Sequence, residues 1–292
     1  MFSRITNNMI FFNALYHLTR NGRNIWCLQA QTASGKRILE PSDDPIGMMM
    51  AIRLKGQLER FQQYKRNIDF GLRWLNYTES VLNDLEELIN KAREVAVTQA
   101  SDTASADTRE ASAAYIRGLR ETVLQLANST YEGRYIFSGL SGNQAYQDDG
   151  TYLGDTQSFQ IAVSEGVYVR INLTGPEVFG TTTNLIQDLD RFSQALETND
   201  LQGISQALDY LDEALNRVIE ARSRVGAWYS QLESYRTILN DRTIKITESL
   251  SEIVDADLAK VISELSSREL AYRATLLATR RLFDETLISL LR

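Results

Sequence analysis

The chain has 292 residues, of which 43% are hydrophobic and 24% charged, and its formal net charge is -7. The length allows about two domains of ordinary size, and the acidic balance excludes bulk nucleic-acid binding, which needs a basic face. Having Cys27 as its only cysteine excludes an intrachain disulfide and a thiolate metal cage. Having His17 as its only histidine excludes a multi-histidine metal site, so we predict no metal and no other cofactor.

The first thirty residues predict an amphipathic helix, because apolar residues recur at steps of three and four. This stripe contains Phe2, Ile5, Met9 and Phe12, with Trp26 in phase further along. No apolar run at this end reaches the length of a secretory h-region, and none in the chain approaches the roughly 20 residues of a membrane span. We therefore expect no cleaved signal peptide and no membrane partner.

A short helix-restart motif ends this helix and starts the next one. Asp44 is the predicted N-cap, because its carboxylate can accept hydrogen bonds from the first-turn amides. Pro45 suits the first helical position, where an amide would have no partner. The motif consists of Pro41, Ser42, Asp43, Asp44 and Pro45.

A long helix follows, and its two apolar stripes imply contact with more than one helix. A loop from Ser101 to Asp107, with Ser105 as the predicted cap, then leads into a helix that returns antiparallel. The first stripe comprises Leu54, Leu58, Phe61, Ile68, Leu72, Leu75, Leu82, Ile89 and Ala96, and the second comprises Val81, Leu85, Leu88, Ala92 and Val95.

Between Gly139 and Gly180 the pattern changes to an alternation of apolar and polar residues, which indicates strands. Glu165-Gly166 is the predicted hairpin turn, and a segment of this length can form only a small twisted sheet. Two capping boxes are predicted to open the following helices, at Asn184 with Gln187 and at Asn199 with Gln202.

From residue 204 onward a heptad seam steps alternately by four and three. Such a seam stays on one side of a helix only if the helix supercoils around a partner. Arg222, Arg236 and Thr243 occupy the polar positions of the seam and are expected to fix its register. The region contains no proline and a single glycine, Gly226, so nothing in it forces a break. The apolar members are Ile204, Leu208, Leu211, Leu215, Val218, Val225, Tyr229, Leu232, Leu239, Ile246, Leu250 and Ile253.

Both ends of the chain carry apolar stripes that a single subunit would leave partly exposed to water, and exposed stripes favour a partner. We predict that the stripe from Phe2 to Trp26 and a C-terminal stripe form the assembly interface, and that both become ordered when neighbours supply the missing surface. The C-terminal stripe comprises Leu258, Ile262, Leu265, Tyr272, Leu276, Phe283, Leu287 and Leu290.

The predicted fold class is therefore mainly α: a long antiparallel helical coiled-coil rod built from the N- and C-terminal segments, with a small β-rich insert. Residues 1–40 and 254–292 are predicted to form a terminal coiled-coil domain. Residues 41–137 and 184–253 form the predicted helical rod domain, and residues 138–183 form the predicted outer insert.

Catalytic chemistry has little support in the sequence. Asp43-Asp44, Asp148-Asp149 and Asp255-x-Asp257 could each be written as carboxylate pairs for metal binding or acid–base work. Helix caps, turns and solvated helix faces explain these pairs better. We therefore predict that the protein is not an enzyme, with a membrane-surface role for the basic, aromatic residues 1–40 as a remote alternative.

Seven short segments are distributed along almost the entire chain. They are Gly35-Lys36-Arg37-Ile38 with the restart motif, Gln63 with Asn67-Ile68-Asp69, Arg93-Glu94-Val95-Ala96-Val97, Tyr135-Ile136-Phe137-Ser138-Gly139, Thr174-Gly175 with Glu177-Val178-Phe179, Arg224-Val225-Gly226, and Ile253-x-Asp255-Ala256-Asp257. In this order and spacing, the segments resemble the flagellar hook-associated protein 3 family of the flagellin superfamily.

The resemblance implies a structural protein of the bacterial flagellum, exported through the flagellar type III channel to an extracellular position at the hook–filament junction. Its implied partners are hook-associated protein 1, flagellin, a ring of like subunits and an export chaperone on the C-terminal helix. Flagellin itself is the main alternative. Pro41 and Pro45, the small insert, and a C-terminal helix without an Asn- and Gln-rich signature favour the junction protein, while Gly47 departs from its pattern.

Overall fold

The computed structural model describes residues 7–101, 104–181 and 184–290, without the side chains of residues 7, 8, 10, 11 and 282–290. The predicted mainly α fold with a small β insert is confirmed. The elements are α1 (Asn7–Ser34), α2 (Pro45–Gln99), α3 (Ala106–Ala127), β1 (Thr130–Tyr131), β2 (Arg134–Tyr135), β3 (Gln160–Ser164), β4 (Val167–Arg170), α4 (Gly175–Phe179), α5 (Leu185–Glu197), α6 (Leu201–Val254) and α7 (Leu258–Leu290).

The chain divides into two compact units. The terminal unit contains the residues up to Arg60 and those from Arg242 onward, and the central unit runs from Phe61 to Asp241. Both α2 and α6 therefore contribute residues to each unit. The finer division of the sequence into a terminal coiled coil, a helical rod and an outer insert stays a prediction.

In the central unit α2 and α6 run antiparallel and share a buried seam. Lys65 Nζ lies 3.2 Å from Asn240 Oδ1, and Arg93 Nε lies 2.6 Å from Asp212 Oδ1. The apolar members of the α6 seam are buried or half-buried from Ile204 to Leu239, so in this unit the heptad pattern is satisfied within the chain. Both α2 stripes are also buried or half-buried, which confirms that this helix packs against more than one neighbour.

Arg222 is the polar step of the α6 seam that bridges to α2. Its guanidinium donates to Glu79 Oε1 at 2.6 and 2.8 Å and also bonds Glu86, one heptad further along α2. Hydrogen bonds to these two carboxylates raise the pKa of Arg222. Since a shift by one residue would separate all three groups, this cluster selects one register. Arg236, by contrast, pairs with Glu233 on its own helix.

The loop after α2 returns the chain as α3, whose N-cap is Ser105, as predicted. Arg109, at the start of α3, donates to the Gln99 carbonyl at the end of α2, whereas Tyr131, just after α3, packs edge-to-face against Trp74. The two helices are therefore antiparallel. α5 packs along α3 and is tied to it by ion pairs that join Arg117 with Glu197 and Arg120 with Asp190.

The β structure of the described residues consists of two separate hairpins, and the first, β1–β2, lies before the predicted insert of residues 138–183. β1 pairs with β2, and β3 pairs with β4 around the predicted Glu165-Gly166 turn, where Gly166 has φ +71°. The β3 hairpin comes so close to α2 that a Cβ at Gly71 would lie 2.6 Å from Ile161 Cδ1. The insert core contains the fully buried Phe137 and Phe179, whose ring centroids are 5.4 Å apart.

A charged cluster holds the end of this insert to α6. Glu177 accepts from Arg170 at 2.6 Å, from Arg224 of α6 at 3.1 Å and from the Thr174 amide at 2.8 Å. Burial raises the pKa of Glu177, but the hydrogen bonds from Thr174 and Arg170 outweigh it and leave that pKa below its ordinary value. Arg170 also lies over the Trp228 ring, 5.4 Å from its centroid.

Two sequence-based predictions about helix ends are corrected by the structure. Asn184 caps α5 as predicted, but Asn199 does not cap α6: it has φ +56°, and its side chain accepts from Arg109. Asp200 performs that role by accepting from the Gln202 amide at 3.1 Å. The lack of proline and of a glycine other than Gly226 after Ile204 also predicted that nothing forces a break there, but α6 ends at Val254. At that point polar side chains and a tertiary contact satisfy the hydrogen-bonding groups of the helix ends.

We predict that Arg222→Met lowers the free energy of unfolding by about 1 kcal/mol, since it leaves Glu79 and Glu86 without their cation. Urea denaturation would measure the change. Arg236→Met is the matched control, because it removes the same side chain from the same seam without an interhelical partner. Equal losses in the two variants would contradict a register role for Arg222.

Candidate assembly surface

The terminal unit is organised around a junction where α1 and α6 end and α2 and α7 begin. The Ala256 amide donates to the Gly35 carbonyl at 2.9 Å, and the Arg37 amide donates to the Val254 carbonyl at 2.7 Å. Gly35 reverses the chain with φ +69°, a conformation that favours glycine. Because the end of α1 thus meets the start of α7, and the two helices pack together, they run antiparallel.

The Arg37 side chain links two helix ends of opposite polarity at this junction. Its Nη2 donates to the Ile253 carbonyl at 2.7 Å and to Asp44 Oδ2 at 3.2 Å. A cation near the last carbonyls of α6 and an anion near the first amides of α2 both complement the helix dipoles. The motif around Arg37 and the motif around Ile253, separated by more than two hundred residues, therefore form one site.

The two aspartates of the restart motif have distinct structural roles. Asp43 Oδ2 accepts from the amides of Leu39 and Glu40, both at 3.0 Å, and closes the turn. Asp44 Oδ1 accepts from the Gly47 amide at 2.8 Å at the start of α2. The hydrogen bond from the Gly47 amide, opposed by desolvation and aided by Arg37, lowers the pKa of Asp44.

Gly47 is closely packed in this turn. A Cβ there would lie 2.5 Å from Asp44 Oδ2 and 2.8 Å from Ile38 Cδ1. Ile38 is itself buried, and it forms the small apolar centre of the junction with Ala51 and Val254. The rest of the motif, Pro41, Ser42 and Pro45, is exposed, with Pro45 as the first residue of α2.

The second aspartate motif explains the break between α6 and α7. Asp255 Oδ2 accepts from the Ser251 hydroxyl at 2.6 Å, and Asp257 Oδ1 accepts from the Lys260 amide at 3.1 Å. Asp257 therefore caps α7, and the Ala256 amide between them is held by Gly35. Neither aspartate pair is arranged as a metal site, and no cluster of metal-ligating side chains occurs among residues 7–101, 104–181 and 184–290.

α1 carries two stripes on opposite faces. The half-buried stripe, in the pair with α7, contains Ala14, Leu18, Ile25 and Leu28. The other face is exposed. Its described members from the predicted assembly stripe are Met9, Phe12 and Trp26, with 53%, 66% and 64% of their surface accessible, and Tyr16 joins them. Phe2 and Ile5 lie outside the described residues.

α7 also keeps apolar surface exposed after it pairs with α1. Leu265 and Tyr272 of the predicted stripe are half-buried, whereas Leu258, Ile262 and Leu276 remain exposed. The side chains of Phe283, Leu287 and Leu290 lie outside the described part of the structure. Sequence analysis missed Leu270 and Leu277, which are exposed on a different face of α7 and could have been found from their seven-residue spacing.

A groove of about 570 Å³ opens beside Trp26, between the end of α1 and the restart motif. Arg23, Trp26 and Cys27 form one wall, and Leu39 and Asp43 contribute to the other. Burial is the main cause of the raised pKa of Cys27, which is half-buried and therefore acts as a small apolar wall residue.

Among its described residues, the terminal unit exposes more large apolar side chains than it buries. Its buried apolar centre is small, whereas most of the exposed large apolar side chains of the described chain lie in this unit, where other helices can pack on them. No helix among the described residues is long and apolar enough to cross a membrane.

The chain matches two family models. Residues 5–141 match the bacterial flagellin N-terminal helical region, and residues 208–291 match the bacterial flagellin C-terminal helical region. The segment between the two matches contains the β3–β4 hairpin, α4 and α5.

Among curated proteins, the chain is similar to flagellar hook-associated protein 3 of Escherichia coli, with 30% identity over 93% of this chain and 94% of that protein. The Salmonella typhimurium protein of the same name is 29% identical over the same shares. Flagellin of Bacillus subtilis is 25% identical over 99% of this chain and 100% of its own length.

Two solved structures share the fold. A flagellar hook-associated protein from Vibrio parahaemolyticus superposes with a TM-score of 0.69 at 18% identity, covering 73% of this chain and 100% of that one. FlgL of Bacillus cereus superposes with a TM-score of 0.60 at 22% identity, covering 67% and 97%.

We predict that Asp44→Ala exposes the Gly47 amide to hydrogen exchange and lowers the Tm of the terminal unit, because the first turn of α2 loses its cap. Pro45→Ala is the neighbouring control and should leave the fold intact, since a first-turn proline contributes stiffness more than contacts. Unchanged Gly47 protection in Asp44→Ala would show that the cap has no effect.

The lowered pKa of Asp44 gives a pH dependence with a defined sign. A carboxyl whose folded pKa is below its ordinary value of 3.8 stabilises the fold above that pH, and the effect is lost as the pH falls through the folded pKa. The Tm difference between wild type and Asp44→Asn should therefore be present at pH 6 and vanish below the folded pKa. A difference that stays constant with pH would contradict this.

Proposed function

The chain belongs to the flagellar hook-associated protein 3 family of the flagellin superfamily, and we propose that it is an adaptor at the hook–filament junction of the bacterial flagellum. Its partners in this role are hook-associated protein 1 on one side and flagellin on the other, together with like subunits. The role is structural, and the protein catalyses no reaction.

The terminal unit is the observation that carries this proposal. Among the described side chains its buried apolar residues are Ile38, Ala51 and Val254, while α1 and α7 expose large side chains on faces turned away from their mutual contact. Covering each such side chain contributes about 1.5–3 kcal/mol. A unit with so little interior gains more from association than from its own packing.

An adaptor role fits this chain better than the filament subunit. Hook-associated protein 3 of Escherichia coli is 30% identical to the chain, against 25% for Bacillus subtilis flagellin. The central unit supports the same preference, because its β insert is limited to two short hairpins.

We further propose that the subunit is exported through the flagellar type III channel and that a chaperone covers the exposed residues of α7 before assembly. Leu270 and Leu277 are 71% and 62% exposed on one stripe of that helix. A single helix face of this kind suits a helix-in-groove partner.

Purified subunits added to flagellar fragments that end in the hook test the proposal. We expect binding that stops after a short collar and then supports the growth of flagellin, because an adaptor presents different surfaces to its two partners. Growth of the pure subunit into long filaments would identify a flagellin instead. Failure to bind hook ends would contradict both roles.

Tyr16→Ala with Trp26→Ala should reduce this binding at least about tenfold, because the exposed face of α1 then loses two rings. Tyr115→Ala is the matched control, since Tyr115 is 49% exposed on α3 in the central unit. Electron microscopy and sedimentation of the fragments measure both. Full binding by the double variant would exclude this face of α1 from assembly.

A further inference from the structure

The exposed face of α1 is basic as well as aromatic. The helix has no acidic residue, and Arg20 and Arg23 lie exposed beside Tyr16 and Trp26. Within the described part of the chain neither arginine takes part in an ion pair. The positive charge of this face is therefore not neutralised by the subunit itself.

The last turns of α6 carry the opposite charge on an exposed face. Ile244, Glu248 and Glu252 follow one another at spacings of four, which place them on one side of the helix, and Asp255 lies just beyond its end. Ile244 is 57% exposed, and neither Glu248 nor Glu252 forms an ion pair with a described residue. Lys245 is the one base between residues 244 and 257.

We propose that the basic, aromatic face of α1 in one subunit docks on the acidic face at the end of α6 in a second copy of this chain. This inference rests on the proposed function and specifies the contact between like subunits. The ring of Tyr16 packs on the Ile244 side chain, and Arg20 and Arg23, which follow Tyr16 at nearly the spacing at which Glu248 and Glu252 follow Ile244, pair with those two carboxylates. Charge pairing across such a contact sets its register and rejects like-charged surfaces.

The occupant is a second copy because the chain supplies both complementary halves on separate helices. A contact between two different surfaces is heterologous, so each subunit donates its α1 face to one neighbour and its α6 face to another. Repetition of this contact yields a closed ring or a helix. The same contact also explains why both faces carry unpaired charge in the single subunit.

Charge reversal on hook-ended flagellar fragments tests the contact. Arg20→Glu with Arg23→Glu, and separately Glu248→Arg with Glu252→Arg, should each reduce bound protein at least about tenfold. The chain carrying all four substitutions should regain most of the binding, since both faces are reversed together and its net charge equals that of wild type. Failure of the fourfold variant to recover, with its helicity and Tm intact, would overturn the proposal.

Glu110→Arg with Glu121→Arg provides the matched control for Glu248→Arg with Glu252→Arg, since both residues are exposed on α3 and these two variants have the same charge change. Normal binding by wild type and by all reversal variants would reject this contact and leave the adaptor role intact. No binding by wild type would reject the adaptor role itself. The two failures are thus distinguishable.

Discussion

Helices with apolar side chains on more than one face need more than one packing partner, and this requirement governs the terminal unit. α1 and α7 each cover one face of the other, and both keep further large apolar residues exposed. Ordering a residue of such a helix costs about 1–2 kcal/mol of backbone entropy. A two-helix contact offsets this cost only in part, so the remaining faces favour association with other subunits.

In the central unit, the apolar faces of the helices find their packing partners within the same chain. α2 has two buried stripes because α3 and α6 occupy two sides of it, and the β insert adds aromatic contacts around Trp74. Two charged clusters then fix the register of the helices and the position of the insert, which an apolar seam alone would not determine. Arg222 fixes the register of α6 on α2, and Glu177 ties the insert to α6 through Arg224. The central unit thus supplies the interior that the terminal unit lacks.

The junction at Arg37 lies within the terminal unit and satisfies helix ends by hydrogen bonding. Polar groups there bond the carbonyls at the end of α6, the amides at the start of α2 and the amides at the start of α7. Polar contacts of this kind define the direction in which helices leave a site without adding much apolar surface. They leave the exposed faces of α1 and α7 available for partners.

The sequence by itself determined the structural features that depend on residues close together in the chain. The period of the apolar positions predicted the long helices, the alternation after Gly139 predicted β3 and β4 but not β1 and β2, and cap residues such as Asp44 and Ser105 marked helix starts correctly. Asn199 failed as a cap because Asp200 was an equally good local candidate and a distant residue, Arg109, bound the asparagine.

Only the tertiary structure decided which stripe of a helix packs within the chain. Both faces of α1 are apolar and helical in period, so periodicity could not say which of them α7 covers, and the longer aromatic stripe is the exposed one. The meeting of Arg37 with Ile253 was also beyond local pattern. It arises from hydrogen bonds between segments more than two hundred residues apart, whose energies no sequence window contains.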